Sequence, residues 1–224
     1  TPFTFGIYQS KLAFYDGTMR QSSATVTTGQ WYHFAACRSG GTLRLFIDGI
    51  SYYSASSSTN FTTGANSIYI GRGFDAAAYY TNGYIDDLRV TKYARYTSAF
   101  APPAQAHLEY ANGNDRHFSN VSLLLHMDGS NGSTTFTDNS SNALALTTSG
   151  TPAISTSQSV FGGASAYFDG SGDYLTTPAN SIVLGSGDWT IEFWLYLNNS
   201  IGSNLIDQRS SGSQLAPSIY YNGS

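Results

Sequence analysis

Gly83-Tyr84-Ile85-Asp86-Asp87-Leu88-Arg89-Val90-Thr91-Lys92 and Val121-Ser122-Leu123-Leu124-Leu125-His126-Met127-Asp128-Gly129 are the two stretches whose reading decides the fold. Each is a strand-length run of aliphatic, β-branched or aromatic residues with a glycine at one end. Tyr93-Ala94-Arg95-Tyr96 extends the first run, and Pro102-Pro103 then opens a stretch rich in Pro, Ala and Asn. Residues 103–121 read as a linker, because their polar character gives no reason for a core of their own.

Composition narrows the classes. Of the 224 residues, 41% are hydrophobic and 15% aromatic, so this is no disordered tail. Charged residues are only 11%, against roughly 25% in an ordinary soluble domain. With 23 glycines and 17 tyrosines the chain favours strands and turns over helices. The net charge of −4 comes without a basic block, which argues against a nucleic-acid partner. The longest apolar runs fall far short of the roughly 20 residues that span a bilayer, so membrane insertion is not expected. Cys37 is the only cysteine and reads as a buried structural thiol. Without an intrachain disulfide, a phage or bacterial surface protein fits better than an animal extracellular module. The opening Thr1-Pro2-Phe3-Thr4-Phe5 reads as mid-strand, as in a segment of something longer.

Outward from the two stretches, short strands alternate with turns. Lys11 to Tyr15 runs into Asp16-Gly17, and Leu43 to Ile47 runs into Asp48-Gly49, both hairpin dipeptides. Gln30 to Arg38 is apolar on both alternating faces, which predicts a central strand covered on both sides. In Asp188 to Leu197, Trp189, Ile191, Phe193, Leu195 and Leu197 form one apolar face, and Glu192, Trp194 and Tyr196 share the other.

The succession Trp31-Tyr32-His33-Phe34-Ala35, Leu43 to Gly49, Ile68 to Arg72 and Tyr84 to Arg89 resembles the second half of a laminin-G-like domain of the concanavalin A-like lectin/glucanase superfamily. Val121 to Gly129, Phe161 to Gly170, Gly172 to Leu175 and Asp188 to Leu197 resemble the first half of the same kind of domain. The resemblance implies an all-β fold, an antiparallel jelly-roll β-sandwich out of phase with its domain boundaries. Residues 1–102 would be the C-terminal half of one module, 103–121 a linker, and 122–224 the N-terminal half of the next or complementary module. Ile219-Tyr220 falls where Ile7-Tyr8 falls, so one strand reads as present twice. A tandem array with a period of roughly 210 residues, a permuted domain and a strand-exchanging assembly are all open readings. In each, the halves need complements, and Leu88 or Val90 is expected near Leu123 or Leu125.

The same resemblance frames the sites. Retaining glucanases of the superfamily resemble one another in an E-x-D-x-E strand, whose alternate carboxylates lie roughly 5–5.5 Å apart. The chain has two glutamates, Glu109 in the linker and Glu192, which is flanked at its alternate positions by Thr190 and Trp194. Asp86 and Asp87, being adjacent, are expected on opposite strand faces. The four histidines sit in no nucleophile motif, so no catalysis is expected. The resemblance implies a structural calcium ion between first and last strands, at Asp86, Asp87 and Asp128, and hard oxygen ligands suit Ca²⁺. Asp169 and Asp173, which flank a flexible glycine loop, read as a second candidate pair, although each turn is explicable without metal. Sugar binding needs aromatic faces beside planar hydrogen-bonding groups. Glu192, Trp194 and Tyr196 are one candidate set, and Phe74, Tyr79, Tyr80 and Asn82 a second. The expected function is a non-catalytic lectin-like module of a phage fibre, virion or bacterial surface protein, extracellular, binding a glycan or cell-surface receptor. The alternative is a structural spacer that contacts neighbouring copies. An open aromatic groove would favour the first, and a covered groove the second.

Overall fold

The computed structural model describes residues 2–61, 66–73, 79–109, 115–199 and 203–209. The first part of the chain forms β1 (Thr4–Tyr8), β2 (Lys11–Tyr15), β3 (Met19–Thr25), β4 (Trp31–Ser39), β5 (Thr42–Ile47), β6 (Ile50–Ser56), β7 (Tyr69–Ile70) and β8 (Asn82–Thr91). A 3-10 turn, Phe118–Asn120, leads into β9 (Val121–Leu125) and β10 (Thr147–Ser149). The remaining strands are β11 (Ala153–Ser155), β12 (Ser165–Asp169), β13 (Tyr174–Thr176), β14 (Trp189–Leu197) and β15 (Ser203–Asp207). They build two antiparallel sheets, the first in the order β10-β13-β7-β15-β1-β2-β3 and the second in the order β11-β12-β8-β14-β4-β5-β6.

Both sheets interleave the two halves of the chain. β15 pairs with β1, and β14 lies between β8 and β4. β12 and β9 share one edge of β8, β12 along Asn82 to Ile85 and β9 along Leu88 to Thr91. Leu88 stands opposite Leu125 and Val90 opposite Leu123, so the complement each half needs is met within this chain. Ile219 and Tyr220, the second copy of the repeated strand, lie outside the described residues.

One apolar core fills the space between the sheets. Phe5, Phe14, Phe34, Ile85, Leu88, Leu123, Phe168, Trp189 and Phe193 all belong to it and are fully buried. The alternation of β14 holds as expected, with Trp189, Ile191, Phe193, Leu195 and Leu197 all in this core. Asp48-Gly49 closes a two-residue hairpin between Ile47 and Ile50, with φ of +49° and +76°, the left-handed pair that this turn demands. Asp16-Gly17 behaves differently. Tyr15 pairs with Met19, so a three-residue loop joins β2 to β3.

Candidate functional site

The face of the second sheet that points away from the core is set by a bulge in β8. Ile85, Leu88 and Val90 all reach the core, a spacing of three and then two. The extra residue is accommodated at Asp87, whose φ is +49°, where the register against β14 slips between Glu192 and Trp194. Asp86 and Asp87 therefore both project outward. Strict alternation would have put them on opposite faces, and the bulge overrides it.

Residues 93–109 run back across this outer face as a strap. Ala94, Tyr96 and Phe100 pack on Ala35, Cys37 and Phe46 of β4 and β5, which covers the second face of β4 as its double-sided apolar pattern requires. Tyr96 and Phe100 stack with centroids 3.5 Å apart, and the Phe100 N–H donates to the Gly49 carbonyl at 3.0 Å. A Cβ at Gly49 would lie 1.8 Å from the Phe100 carbonyl oxygen, so the strap crosses where only glycine fits. Within the 103–121 stretch, described residues pack against the sandwich. His107 is buried there, and Phe118 joins Val121 and Leu124 in a small cluster.

Glu192 lies beneath the strap with no solvent exposure. Its Oε1 accepts from Arg89 Nε at 3.0 Å and Nη2 at 2.7 Å, and its Oε2 accepts from the Tyr96 hydroxyl at 2.6 Å. His33 Nε2 stands 3.4 Å from Oε2 and His107 Nε2 4.0 Å. Burial alone would raise the carboxyl's pKa, but Arg89, His107 and His33 together outweigh it and hold Glu192 well below the usual carboxylate range. Asp115 bridges Arg89 at 3.3 Å and Arg95 at 2.7 Å, tying the end of the strap to the sheet. His107 is enclosed between Asp87 and Glu192, and burial pushes its pKa down to about 4. His126 goes the other way. Burial opposes its charged form, but its hydrogen bond and charge interaction with Asp87 prevail and raise its pKa.

Farther along the same face the cross-strand register lines up four half-exposed aromatic rings. Trp31 of β4 stands opposite Tyr196 of β14, Tyr196 opposite Tyr84 of β8, and Tyr84 opposite Tyr167 of β12. Successive ring centroids are 5.7, 5.8 and 4.9 Å apart. Asn82, two residues before Tyr84, accepts a hydrogen bond from the Asn198 side-chain amide at 2.9 Å at the flank of this row. Of the residues singled out in sequence, Tyr196 and Asn82 stand here and Glu192 does not. Trp194 lies between the two regions, half-buried against His33 at 5.2 Å and Phe161 at 6.1 Å. Tyr80 bridges to Arg72, whose guanidinium lies over Tyr69 and Tyr174 of the first sheet, so Tyr79 and Tyr80 belong to another part of the surface. Phe74 lies outside the described residues.

Trp31, Tyr84 and Tyr167 were missed in the sequence. Each occupies the outward position of an alternating strand, a signal present in every strand singly. The line they make exists only in the register between strands.

The aspartates expected to hold calcium are otherwise engaged. Asp86 Oδ2 accepts the N–H groups of Val160 at 2.7 Å and Phe161 at 3.1 Å, Oδ1 has no partner, and burial raises the carboxyl to about 7. Asp87 receives the His107 N–H at 2.9 Å and faces His126 Nδ1 at 2.8 Å. Asp128 is exposed beside Gly162. Asp173 accepts the N–H groups of Thr151 at 2.6 Å and Asp169 at 3.1 Å, while Asp169 accepts that of Ser171 at 2.7 Å. Among the described residues no group of three or more His, Cys, Asp or Glu side chains is placed to hold a metal ion. Asp87 and Asp173 each meet a nitrogen partner on both oxygens, so a metal ion there would compete with these contacts.

Two packed antiparallel sheets with one shared core define a jelly-roll sandwich of the concanavalin A-like type, a fold that fits a lectin-like or other binding module. A family model of laminin-G type, described as concanavalin A-like lectin/glucanases superfamily, matches residues 2–99, so that segment is similar to this superfamily. Comparisons with curated proteins and with solved structures returned no match.

Proposed function

We propose that the protein is a non-catalytic, lectin-like module that binds carbohydrate on the outer face of its second sheet, in an extracellular, cell-surface or virion setting. The observation that carries the reading is the division of that face. Glu192 and Asp87 are enclosed at one end, and Trp31, Tyr84, Tyr167 and Tyr196 are half-exposed at the other. Glu192 and Asp87 do share the outer face, on neighbouring strands, as a hydrolytic pair would. Yet His107 stands between them, Arg89 and Tyr96 donate to Glu192, and the strap covers both carboxylates, which supports a non-catalytic reading. A general acid and a nucleophile both need contact with the glycosidic bond. Binding by stacking needs only the rings that remain half-exposed.

The covered end of the face was the feature that would favour a spacer, and the open end keeps the lectin reading ahead of it. The test is incubation with soluble polysaccharides, followed by separate assays for retention and for new reducing ends. Retention without release is the expected result. Release of reducing sugar that disappears in Glu192→Gln would overturn the non-catalytic reading, and absence of retention would favour the spacer.

A further inference from the structure

We infer that the row Trp31–Tyr196–Tyr84–Tyr167 is the binding site, and that its ligand is a soluble, neutral glycan chain lying across the strands. The inference rests on the lectin-like reading above and adds a position, a direction and a ligand class to it. Direction follows from register. The four rings stand at directly paired positions on four adjacent strands, so the row runs perpendicular to the strands. With strands about 4.8 Å apart it is roughly 14 Å long, which suits several sugar units in sequence.

The ligand class follows from charge and ring attitude. None of the four side chains carries a charge, and the amide pair Asn82–Asn198 at the flank offers neutral donors and acceptors for hydroxyl groups. The charged residue at the next outward position of β12 is an exposed acid, Asp169, and the whole chain carries −4. A uronate, sialylated or sulfated glycan would meet repulsion there with no Lys or Arg in the row to offset it. Adjacent rings are inclined at 61°, 79° and 40°, so they do not form one flat platform. Such a row follows a twisted chain in solution and mismatches the planar face of a crystalline polymer. The half-exposed tyrosine hydroxyls add hydrogen bonds at the rim of each stack.

Affinity electrophoresis tests this with native gels containing a mixed-linkage β-glucan, a mannan, a galactan or an α-glucan, against alginate as the acidic arm and microcrystalline cellulose pull-down as the flat arm. The wild type should be retarded by a neutral soluble polysaccharide and by neither of the other probes. Trp31→Ala, Tyr84→Ala and Tyr196→Ala should each weaken retardation by between about twofold and tenfold, the worth of one aromatic contact, with unchanged circular dichroism. Should a variant fold poorly, tryptophan emission of the wild type serves instead. The neutral polysaccharide should shift it, and Trp31→Phe should abolish the shift while keeping a ring in place. Retardation that survives all three alanine variants would overturn the row and leave the lectin reading standing. Preference for alginate would overturn the ligand class. No retardation with any probe would defeat the inference together with the reading beneath it. Variants that leave binding intact but change the sedimentation coefficient would mark the row as a protein contact, and so overturn it.

Discussion

Replacing Glu192 by Gln removes a charge that the fold cannot easily lose. The side chain is wholly buried, and its partner Arg89 is only 7% exposed, so water cannot re-solvate the guanidinium that remains. Asp115 stays at 3.3 Å from Arg89, but it is shared with Arg95. Removing one member of such a pair costs about 3–5 kcal/mol. For a domain of this size each kcal/mol lowers Tm by about 2–4 °C, so a fall of roughly 6–20 °C is expected. Thermal unfolding followed by circular dichroism and calorimetry at pH 7 measures it. The companion variant Glu192→Leu with Arg89→Met should lose much less than the sum of its single changes, because an apolar pair leaves no orphaned charge. An exposed groove glutamate would behave otherwise, with Glu192→Gln within about 0.5 kcal/mol of wild type. A Tm unchanged within a degree would refute the seated strap and reopen Glu192 as an accessible residue.

Three further outcomes follow from the same geometry. His107, held down at about 4, makes the fold lose stability as pH falls from about 6.5 towards 4, because the unfolded chain takes up that proton first. Asp86, raised to about 7, has the opposite sign: its stabilising share is full below about 4 and is lost as pH rises to 7. Urea unfolding of Asp86→Asn should therefore show a gain over wild type at pH 8 that vanishes near pH 4, together with a steeper loss on acidification between those values; parallel curves would contradict both assignments. Cys37, buried and with its thiol pushed up by burial, should resist an aromatic disulfide reagent in the native state and react fully in guanidinium, whereas fast native labelling would mean that the strap opens readily. Gly49→Ala should destabilise the fold by about 1–3 kcal/mol, through both its φ of +76° and the Phe100 carbonyl in its path, and a neutral result would place the strap elsewhere.

Strand identity was legible wherever a single strand carries its own signal. The two faces of β14 could be read from Trp189 to Leu197, and the two-sided covering of β4 from Gln30 to Arg38. The pairing of Leu88 and Val90 with Leu125 and Leu123 could be expected because each half lacked a partner. The bulge could not be read, since Asp87 adopts its left-handed conformation only when β14 slips by one residue beside it. The strap was hidden for a related reason. Tyr96, Phe100 and His107 are spread among Pro, Ala and Ser with no periodicity, and their burial arises from the surface they cover. The aromatic row lay beyond any local pattern, because its four members come from strands up to 165 positions apart in number, between Trp31 and Tyr196.

Amide hydrogen exchange, with and without the neutral polysaccharide that retards the protein, bears most directly on the claim that the open end of the second sheet binds glycan while the strap stays closed. The account predicts added protection in peptides containing Trp31, Tyr84, Tyr167 and Tyr196, and no change across residues 93–109. Protection confined to the first sheet around Tyr69 and Tyr174, or deprotection of the strap on binding, would contradict it.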